Sequence, residues 1–249
     1  MSFRTKLDLI RPSPKWMRYL SGFLGLFIGA LLAKITVKGR QHIPKKGPFI
    51  IASNHFNLID AFFIVYALRR PIVFIAGSDQ IIDWFNIWAV WLYGFIPANR
   101  TRLAPSTIKM ASKSLKEGEI LGIFPEGTIE GRGLRKPKPG VVYFSTMDKV
   151  PILPVSIYGL HESFWRYLIR GVRPKVIAQI GKPFGPYSLP KSKEKKEEIL
   201  KVIGDKVMCR IAALLPSETH GIYTDDPSIE KYKQKNKGNL ISKSFRKSK

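Results

Sequence analysis

Short apolar runs alternate with longer helix-forming stretches along most of this chain, and this alternation restricts the folds that are open to it. Five runs have the length and composition of buried strands: Phe49–Ser53, Ile72–Ala76, Ile120–Phe124, Ile152–Ile157 and Val176–Ile180. Apolar residues at helical spacing occupy Pro105–Glu117 and Ile199–Leu215. Strands that alternate with helices predict an α/β fold with a mainly parallel central sheet flanked by helices.

The length of the chain favours one domain with additions at its ends. Its 249 residues, 45% of them hydrophobic, can bury one sizeable core. We predict an α/β domain over residues 41–216, an N-terminal helical element over residues 1–40 and a basic C-terminal tail over residues 217–249. Lys34–Lys46 has the composition of a basic link. Lys231–Lys249 is polar and basic, and we expect it to be mobile.

The first 50 residues combine positive charge with an apolar run. They hold ten Lys and Arg residues against one acid, Asp8, and the run Tyr19–Ala33 lies among them. Its 15 residues are fewer than the roughly 20 that cross a bilayer as a helix, and no small-residue cleavage site follows it, which argues against a signal peptide. We predict an interfacial or shallowly inserted helix over Pro14–Ala33 that associates with an anionic membrane, the alternative being a buried core helix.

The formal net charge of +24 is compatible with nucleic acid, an anionic membrane or acidic soluble partners. A nucleic-acid-binding protein would interleave basic and aromatic residues. Here aromatic residues concentrate in Gln80–Ala98, which holds three of the five tryptophans and no Lys or Arg. This separation disfavours nucleic acid as a partner. The segment is either core, an acyl-chain tunnel or an aromatic belt at a membrane interface.

Cysteine and histidine usage bounds the metal and redox chemistry. The single cysteine, Cys209, excludes an intramolecular disulfide and a cysteine metal cluster. The four histidines are scattered without ligand spacing. We therefore predict neither a metal nor a cofactor.

The segment Asn54-His55-Phe56-Asn57-Leu58-Ile59-Asp60 begins where a predicted strand ends and an apolar helix begins. Open α/β sheets place their active sites at such positions. A histidine there can take a proton from a hydroxyl, and a carboxylate five residues later can fold back to the other ring nitrogen. Taken alone, the pattern also fits helix-capping Asn and Asp residues beside a histidine without a chemical role.

Three further motifs follow. Phe124-Pro125-Glu126-Gly127-Thr128 closes a predicted strand, and its backbone N–H groups, with Lys136 and Lys138, are suited to bind phosphate, although a plain turn is the alternative. Gly94-Phe95-Ile96-Pro97-Ala98-Asn99-Arg100 brings an arginine, a good phosphate ligand, out of the aromatic segment. Val150-Pro151-Ile152-Leu153-Pro154-Val155 indicates only an edge strand or a rigid wall.

In order and spacing, the motifs Asn-His-x4-Asp, Gly-x5-Arg, Phe-Pro-Glu-Gly-Thr and Val-Pro-Ile-x-Pro-Val resemble those of the glycerolipid acyltransferase superfamily, and most closely its 1-acylglycerol-3-phosphate acyltransferases. The resemblance covers roughly residues 35–185. It implies that His55 and Asp60 are the catalytic pair. The substrate-binding residues that it implies are Asn54, Arg100, Glu126, Gly127, Thr128 and Lys138. Two departures are Asn99, where an acid is common, and Ile129-Glu130, where Arg-Ser is frequent.

The resemblance also implies a reaction and a location. His55 would act as general base while the acyl group passes from acyl-CoA or acyl carrier protein directly to the sn-2 hydroxyl of lysophosphatidic acid, forming phosphatidic acid. The chain has no Gly-x-Ser-x-Gly elbow for a covalent route. Glycerol 3-phosphate and other lysophospholipids remain alternative acceptors. The expected location is the cell membrane, with peripheral or monotopic attachment and the active site at the cytoplasmic face.

Overall fold

The computed structural model describes residues 11–77, 93–99, 103–129, 131, 133–160, 167, 169–190 and 192–244. The helices in these ranges are α1 (Lys15–Leu32), α2 (Asp60–Leu68), α3 (Pro105–Lys116), α4 (Gly140–Met147), α5 (Lys193–Ala212) and α6 (Pro227–Ser244). The strands are β1 (Lys34–Lys38), β2 (Phe49–Ser53), β3 (Ile72–Gly77), β4 (Ile96–Ala98), β5 (Ile120–Ile123), β6 (Ile152–Tyr158) and β7 (Lys175–Ile180). Short 3₁₀ turns occupy Arg40–His42, Ser217–Thr219 and Gly221–Tyr223.

The seven strands form one sheet in the order β1-β7-β6-β2-β5-β3-β4. All neighbours are parallel except β6 and β7, which are antiparallel. The predicted mainly parallel α/β fold is therefore confirmed. The central strands β2 and β5 are buried along their whole length, as expected for strands covered on both faces, which read as continuous apolar runs.

Two strands were not predicted from the sequence. Lys34–Lys38 was expected to be part of a basic link, but it pairs with β7 as the edge strand β1. Its lysines and threonine alternate with Ile35 and Val37, which are half-buried, so only one face of the strand contributes to the core. The second is the short strand β4, which extends the sheet beyond β3.

Alternate residues of the sheet face two separate hydrophobic cores, because successive side chains of a strand point to opposite faces. Ile50 and Leu121 belong to the core beneath α3, α4 and α5. Phe49 and Ile51 belong to the core beneath α2. All of these residues are fully buried.

Helix α1 packs against α2 through glycines. A Cβ atom added at Gly25 would lie 2.9 Å from the ring of Phe62, and one at Gly29 would lie 3.1 Å from Tyr66. Such close approach needs small residues on one helix face. The opposite face of α1 is exposed, with Phe23 and Phe27 at 73% and 70% exposure. The alternative of a fully buried core helix is therefore wrong.

The N-terminal half of α1 is also fixed by charge. The guanidinium of Arg18 pairs with Glu119, which immediately precedes β5, and only 4% of Arg18 is exposed. Within the described part of the chain, no helix has both the length and the hydropathy required to cross a membrane. Membrane association of α1 remains a prediction.

The C-terminal region differs from the expected tail. Residues from Lys231 to Ser244 belong to helix α6, which the sequence analysis did not predict, and the mobility of the tail remains a prediction. The helix makes a contact that composition does not reveal: the guanidinium of Arg210 in α5 lies between the rings of Phe184 and Tyr232, at 4.1 and 4.3 Å from their centroids. The side chain of Asn236 also accepts a hydrogen bond from the N–H of Lys182.

Candidate active site

The predicted site residues that the structure describes lie at the carboxyl edge of the sheet, where β2, β5 and β6 end. Strand β2 ends at Ser53 and is followed by Asn54 and His55. Strand β5 ends at Ile123, immediately before the Phe124–Thr128 motif. Because these strands are parallel neighbours, their ends bring the two motifs together, which is the usual place for a site in an open α/β sheet.

His55 and Asp60 form a hydrogen-bonded pair. The Nδ1 atom of His55 lies 3.2 Å from Oδ2 of Asp60. Since an ionised carboxylate can only accept, Nδ1 carries the proton and Nε2 is the basic ring nitrogen. The predicted fold-back of the carboxylate onto the imidazole is therefore present in the structure.

Asp60 is the first residue of α2 and is almost fully buried. Its Oδ2 also accepts hydrogen bonds from the N–H groups of Phe56 and Asn57, at 2.8 and 2.7 Å. Burial raises the pKa of Asp60 above its usual range, and the hydrogen bonds from His55 and the two backbone groups oppose that rise. These donors hold both the carboxylate and the turn that carries His55.

The imidazole of His55 stacks on the ring of Phe124. The two ring centroids are 3.8 Å apart and the planes differ by 13°. Phe74 stacks on Phe124 in turn, at 5.9 Å between centroids. This aromatic stack was not predicted from the sequence, although Phe124 is part of the Phe-Pro-Glu-Gly-Thr motif. The stack restricts rotation of the imidazole on one side, and the hydrogen bond to Asp60 fixes the tilt of the ring.

Glu126 faces the His55–Asp60 pair from the end of the neighbouring strand β5. Its Oε1 accepts a hydrogen bond of 3.1 Å from the backbone N–H of His55, and its Oε2 lies 3.5 Å from Nε of Arg135. Burial raises the pKa of Glu126 to about 7, although the N–H of His55 and the charge of Arg135 both lower it. Arg135 also donates to the carbonyl of Thr128, at 2.8 Å; no sequence pattern distinguished Arg135 from its basic neighbours.

Asn54 does not reach the surface. Its side-chain amide donates to the carbonyl of Ile157 at 2.9 Å, and its Oδ1 accepts from the N–H of Ile157 at 3.0 Å. The residue is fully buried. The predicted contact of Asn54 with substrate does not fit this position, because the amide is used to join the end of β2 to β6.

A hydrogen bond from the N–H of Gly127 to the carbonyl of Phe124 closes the turn that carries Glu126; Thr128 follows this turn and Lys138 packs against Gly127. Gly127 has a φ of +72°, and a Cβ atom added there would lie 2.8 Å from the side chain of Lys138. The backbone N–H of Lys138 donates to the carbonyl of Pro125 at 2.8 Å. The side chain of Lys138 therefore lies directly against Gly127. Gly127 follows Glu126, whose carboxylate accepts the hydrogen bond from the N–H of His55.

Part of the expected site lies outside the described residues. This holds for Arg100 and for residues 80–92 of the aromatic segment. Of that segment, Phe95 is buried, and the hydroxyl of Tyr93 accepts a hydrogen bond of 3.0 Å from the N–H of Ile72. Within the described ranges, no group of three or more His, Cys, Asp or Glu side chains is arranged to hold a metal ion.

Comparison with known proteins defines the class of this fold and site. The family described as Acyltransferase matches residues 34–158. The chain is 30% identical over 185 residues to the 1-acyl-sn-glycerol-3-phosphate acyltransferase of Borreliella burgdorferi, with 73% of each chain covered. It is 31% identical to the protein of the same name from Bacillus subtilis, with 62% of this chain and 75% of that protein covered. The chain belongs to the acyltransferase family.

A solved structure shares the fold. The 1-acyl-sn-glycerophosphate (LPA) acyltransferase of Thermotoga maritima superimposes with a TM-score of 0.53 and 24% identity, over 76% of this chain and 78% of that one. The enzyme is thus an O-acyltransferase by family, on a mainly parallel α/β scaffold.

Proposed function

We propose that this enzyme acylates the sn-2 hydroxyl of 1-acylglycerol-3-phosphate, producing phosphatidic acid, with His55 as general base. The observation that carries the proposal is the His55–Asp60 pair at 3.2 Å, held at the carboxyl edge of the sheet. The names of the relatives from Borreliella burgdorferi and Bacillus subtilis support the choice of acceptor.

In this proposal the acyl group passes directly from the thioester donor to the acceptor hydroxyl. Nε2 of His55 removes the proton of the acceptor hydroxyl, and the oxygen attacks the thioester carbonyl. The C–S bond breaks, and the imidazolium returns the proton to the departing thiolate. Asp60 stabilises the imidazolium while it exists, as the carboxylate does in hydrolase triads. General-base catalysis contributes typically about 10²–10⁴-fold, so positioning both substrates supplies much of the remaining acceleration.

We assign the acceptor phosphate to the turn formed by Gly127, Thr128 and Lys138, together with Arg100. The lysine stem against Gly127 supports this assignment. Glu126 is buried and bonded to His55, so its contribution is to hold the base and the phosphate turn at a fixed separation. Arg100→Ala should raise the KM for the acceptor far more than the KM for the donor. Equal changes in both constants would argue for a structural role.

We further propose that α1 attaches the enzyme to one face of an anionic membrane, with the active site at the cytoplasmic side. The exposed rings of Phe23 and Phe27 and the absence of any acid within α1 support this attachment. The donor is a thioester of coenzyme A or of acyl carrier protein. Glycerol 3-phosphate and lysophospholipids with larger headgroups are the competing acceptors.

The test is an assay of purified enzyme with labelled lysophosphatidic acid and each donor, with the product lipid identified. Glycerol 3-phosphate and lysophosphatidylcholine serve as competing acceptors. His55→Ala should abolish transfer while the far-ultraviolet circular dichroism is unchanged. His42→Ala is the matched control, because the ring of His42 bonds the carbonyl of Ile180 instead and its loss should leave turnover in place. Near-normal turnover of folded His55→Ala would overturn the mechanism.

A further inference from the structure

The turn between β6 and β7 presents apolar side chains to solvent. We use the name β6–β7 turn for Tyr167 and residues 169–173. Ile169 is 86% exposed and Val172 is 51% exposed. The turn is closed by a hydrogen bond of 2.8 Å from the N–H of Val172 to the carbonyl of Tyr167.

This turn lies at the same edge of the sheet as His55. Strand β6 is parallel to β2, so both end at the carboxyl edge. Strand β7 returns antiparallel to β6, with Tyr158 opposite Ile177. The connection between them must therefore sit at the edge that carries the catalytic pair.

Arg173 joins the β6–β7 turn to the C-terminal end of α1. Its guanidinium donates to the carbonyl of Ala30 and, at 2.9 Å, to that of Ala33. Helix α1 has no basic residue in its own last turn, so Arg173 caps the free carbonyls from another part of the chain. The N–H of Lys34 also donates to the carbonyl of Pro174 at 2.9 Å. The turn and the end of α1 are thus held as one surface.

The charged side chains on this surface that the structure describes are positive. Lys34, Arg170 and Lys175 are exposed beside the apolar residues, and the sequence contains no acid from Trp165 to Pro190. Aliphatic side chains flanked by cations match an anionic lipid surface, where each Lys or Arg near the membrane adds attraction. A second copy of this strongly basic chain would meet like charge at the same place.

We propose that the β6–β7 turn is a second membrane-contacting element, which inserts Ile169 and Val172 into the headgroup layer of an anionic bilayer. The inference rests on the proposed membrane attachment of α1. Two contacts joined by Arg173 restrict the orientation of the enzyme on the membrane more than α1 does by itself. The orientation they define turns the carboxyl edge of the sheet, with His55, toward the lipid headgroups.

A fluorescent label at position 169 tests the contact directly. Cys209 is buried, and burial raises the pKa of its thiol to about 12, so a cysteine introduced by Ile169→Cys can be labelled selectively in the folded protein. Val202→Cys is the matched control, since Val202 is exposed on α5, which packs against the core on the other face of the sheet.

Vesicles of phosphatidylcholine with and without phosphatidylglycerol are then added to each labelled protein. We expect a blue shift and quenching by brominated lipid for the label at position 169 with the anionic vesicles, and neither change at position 202. A label at position 169 that stays accessible to an aqueous quencher, while the protein sediments with the vesicles, would overturn the proposal.

A charge substitution measures the contribution of the turn to function. The double variant Ile169→Asp, Val172→Asp should weaken co-sedimentation with anionic vesicles by roughly 10- to 100-fold, because two aliphatic side chains no longer leave water. Transfer to vesicle-borne lysophosphatidic acid should fall in parallel, while transfer to a monomeric short-chain acceptor should not change. Val202→Asp should leave all three measurements at the wild-type level.

The two proposals fail in different ways. If the proposed acyl acceptor is wrong, neither acceptor is acylated, yet the label and sedimentation results still decide the membrane contact. If only the turn assignment is wrong, wild type and the double variant sediment equally and acylate vesicle-borne acceptor equally. Analytical ultracentrifugation tests whether the turn binds a second copy of the chain instead. If wild type forms a concentration-dependent dimer and the double variant does not, the turn is a dimer contact and the proposal is overturned.

Discussion

Replacement of Asp60 by asparagine separates the charge of this residue from its structural hydrogen bonds. The N–H groups of Phe56 and Asn57 both point at Oδ2, so the asparagine oxygen must take that position to satisfy them. It then also accepts the proton on Nδ1 of His55, and the tautomer with a basic Nε2 is kept. What the substitution removes is the negative charge beside the imidazolium.

The expected loss of kcat in Asp60→Asn follows from the distance between His55 and Asp60. Two unit charges 3.2 Å apart interact by about 5 kcal/mol at an effective dielectric constant of about 20. The retained hydrogen bond and residual solvation offset part of this loss. We therefore expect kcat to fall roughly 10²- to 10³-fold, which is about 3–4 kcal/mol of transition-state stabilisation.

The free energy of unfolding should differ between the variants Asp60→Asn and Asp60→Ala. In Asp60→Asn, the new amide nitrogen takes the place of Oδ1, a buried atom without a hydrogen-bond partner, which costs about 1–2 kcal/mol of folding free energy. In Asp60→Ala, two backbone N–H groups lose their acceptor and a cavity is left, which costs about 3–5 kcal/mol.

The measurements are single-turnover rates over a range of pH and urea unfolding of both variants. An asparagine variant that keeps more than a tenth of wild-type kcat, or one that unfolds as easily as the alanine variant, would contradict this account of Asp60.

Two further substitutions test the burial of Glu126 and the exposed face of α1. The pKa of Glu126 is raised in the folded state to about 7, so the stability that its protonated form contributes is complete below the unfolded pKa of about 4.5 and is lost as pH rises through 7. Relative to Glu126→Gln, wild type should therefore lose about 2–3 kcal/mol of unfolding free energy between pH 5 and 8; a difference that does not vary with pH in urea titrations would refute it. The double variant Phe23→Asp, Phe27→Asp should abolish co-sedimentation with anionic vesicles and leave the Tm within a few degrees of wild type, since both rings are exposed. A large drop in Tm would show that these rings stabilise the fold instead.

Strands covered on both faces could be predicted from the sequence, because their apolar runs need no information about partners. Strand β1 could not be predicted, because its lysines interrupt the apolar pattern. It forms by pairing with β7, some 140 positions later in the chain. Helix α6 was missed for a similar reason. Its composition is polar, and it is fixed by Tyr232 against Arg210, a contact between separate elements.

The hydrogen-bonded pair of His55 and Asp60 was predictable because its five-residue spacing is local. The partners of Asn54 and Glu126 were not, since the first bonds Ile157 and the second bonds His55, 103 and 71 positions apart along the chain. Spacing in a sequence identifies residues that meet within one turn. It does not show whether a polar residue faces the substrate or the interior, and that distinction separates the positioning role of Asn54 from the substrate contact expected of it.

The close fit of α1 on α2 means that α1 cannot be exchanged without affecting the helix that carries Asp60. The glycines of α1 match the rings of Phe62 and Tyr66, and these belong to the helix whose first residue is Asp60, the partner of His55. An amphipathic helix of equal hydrophobicity without glycine at positions 25 and 29 would displace α2 and, with it, the carboxylate. Chimeras that exchange N-terminal helices between relatives should therefore stay active only when the matching residues of α2 are transferred with them.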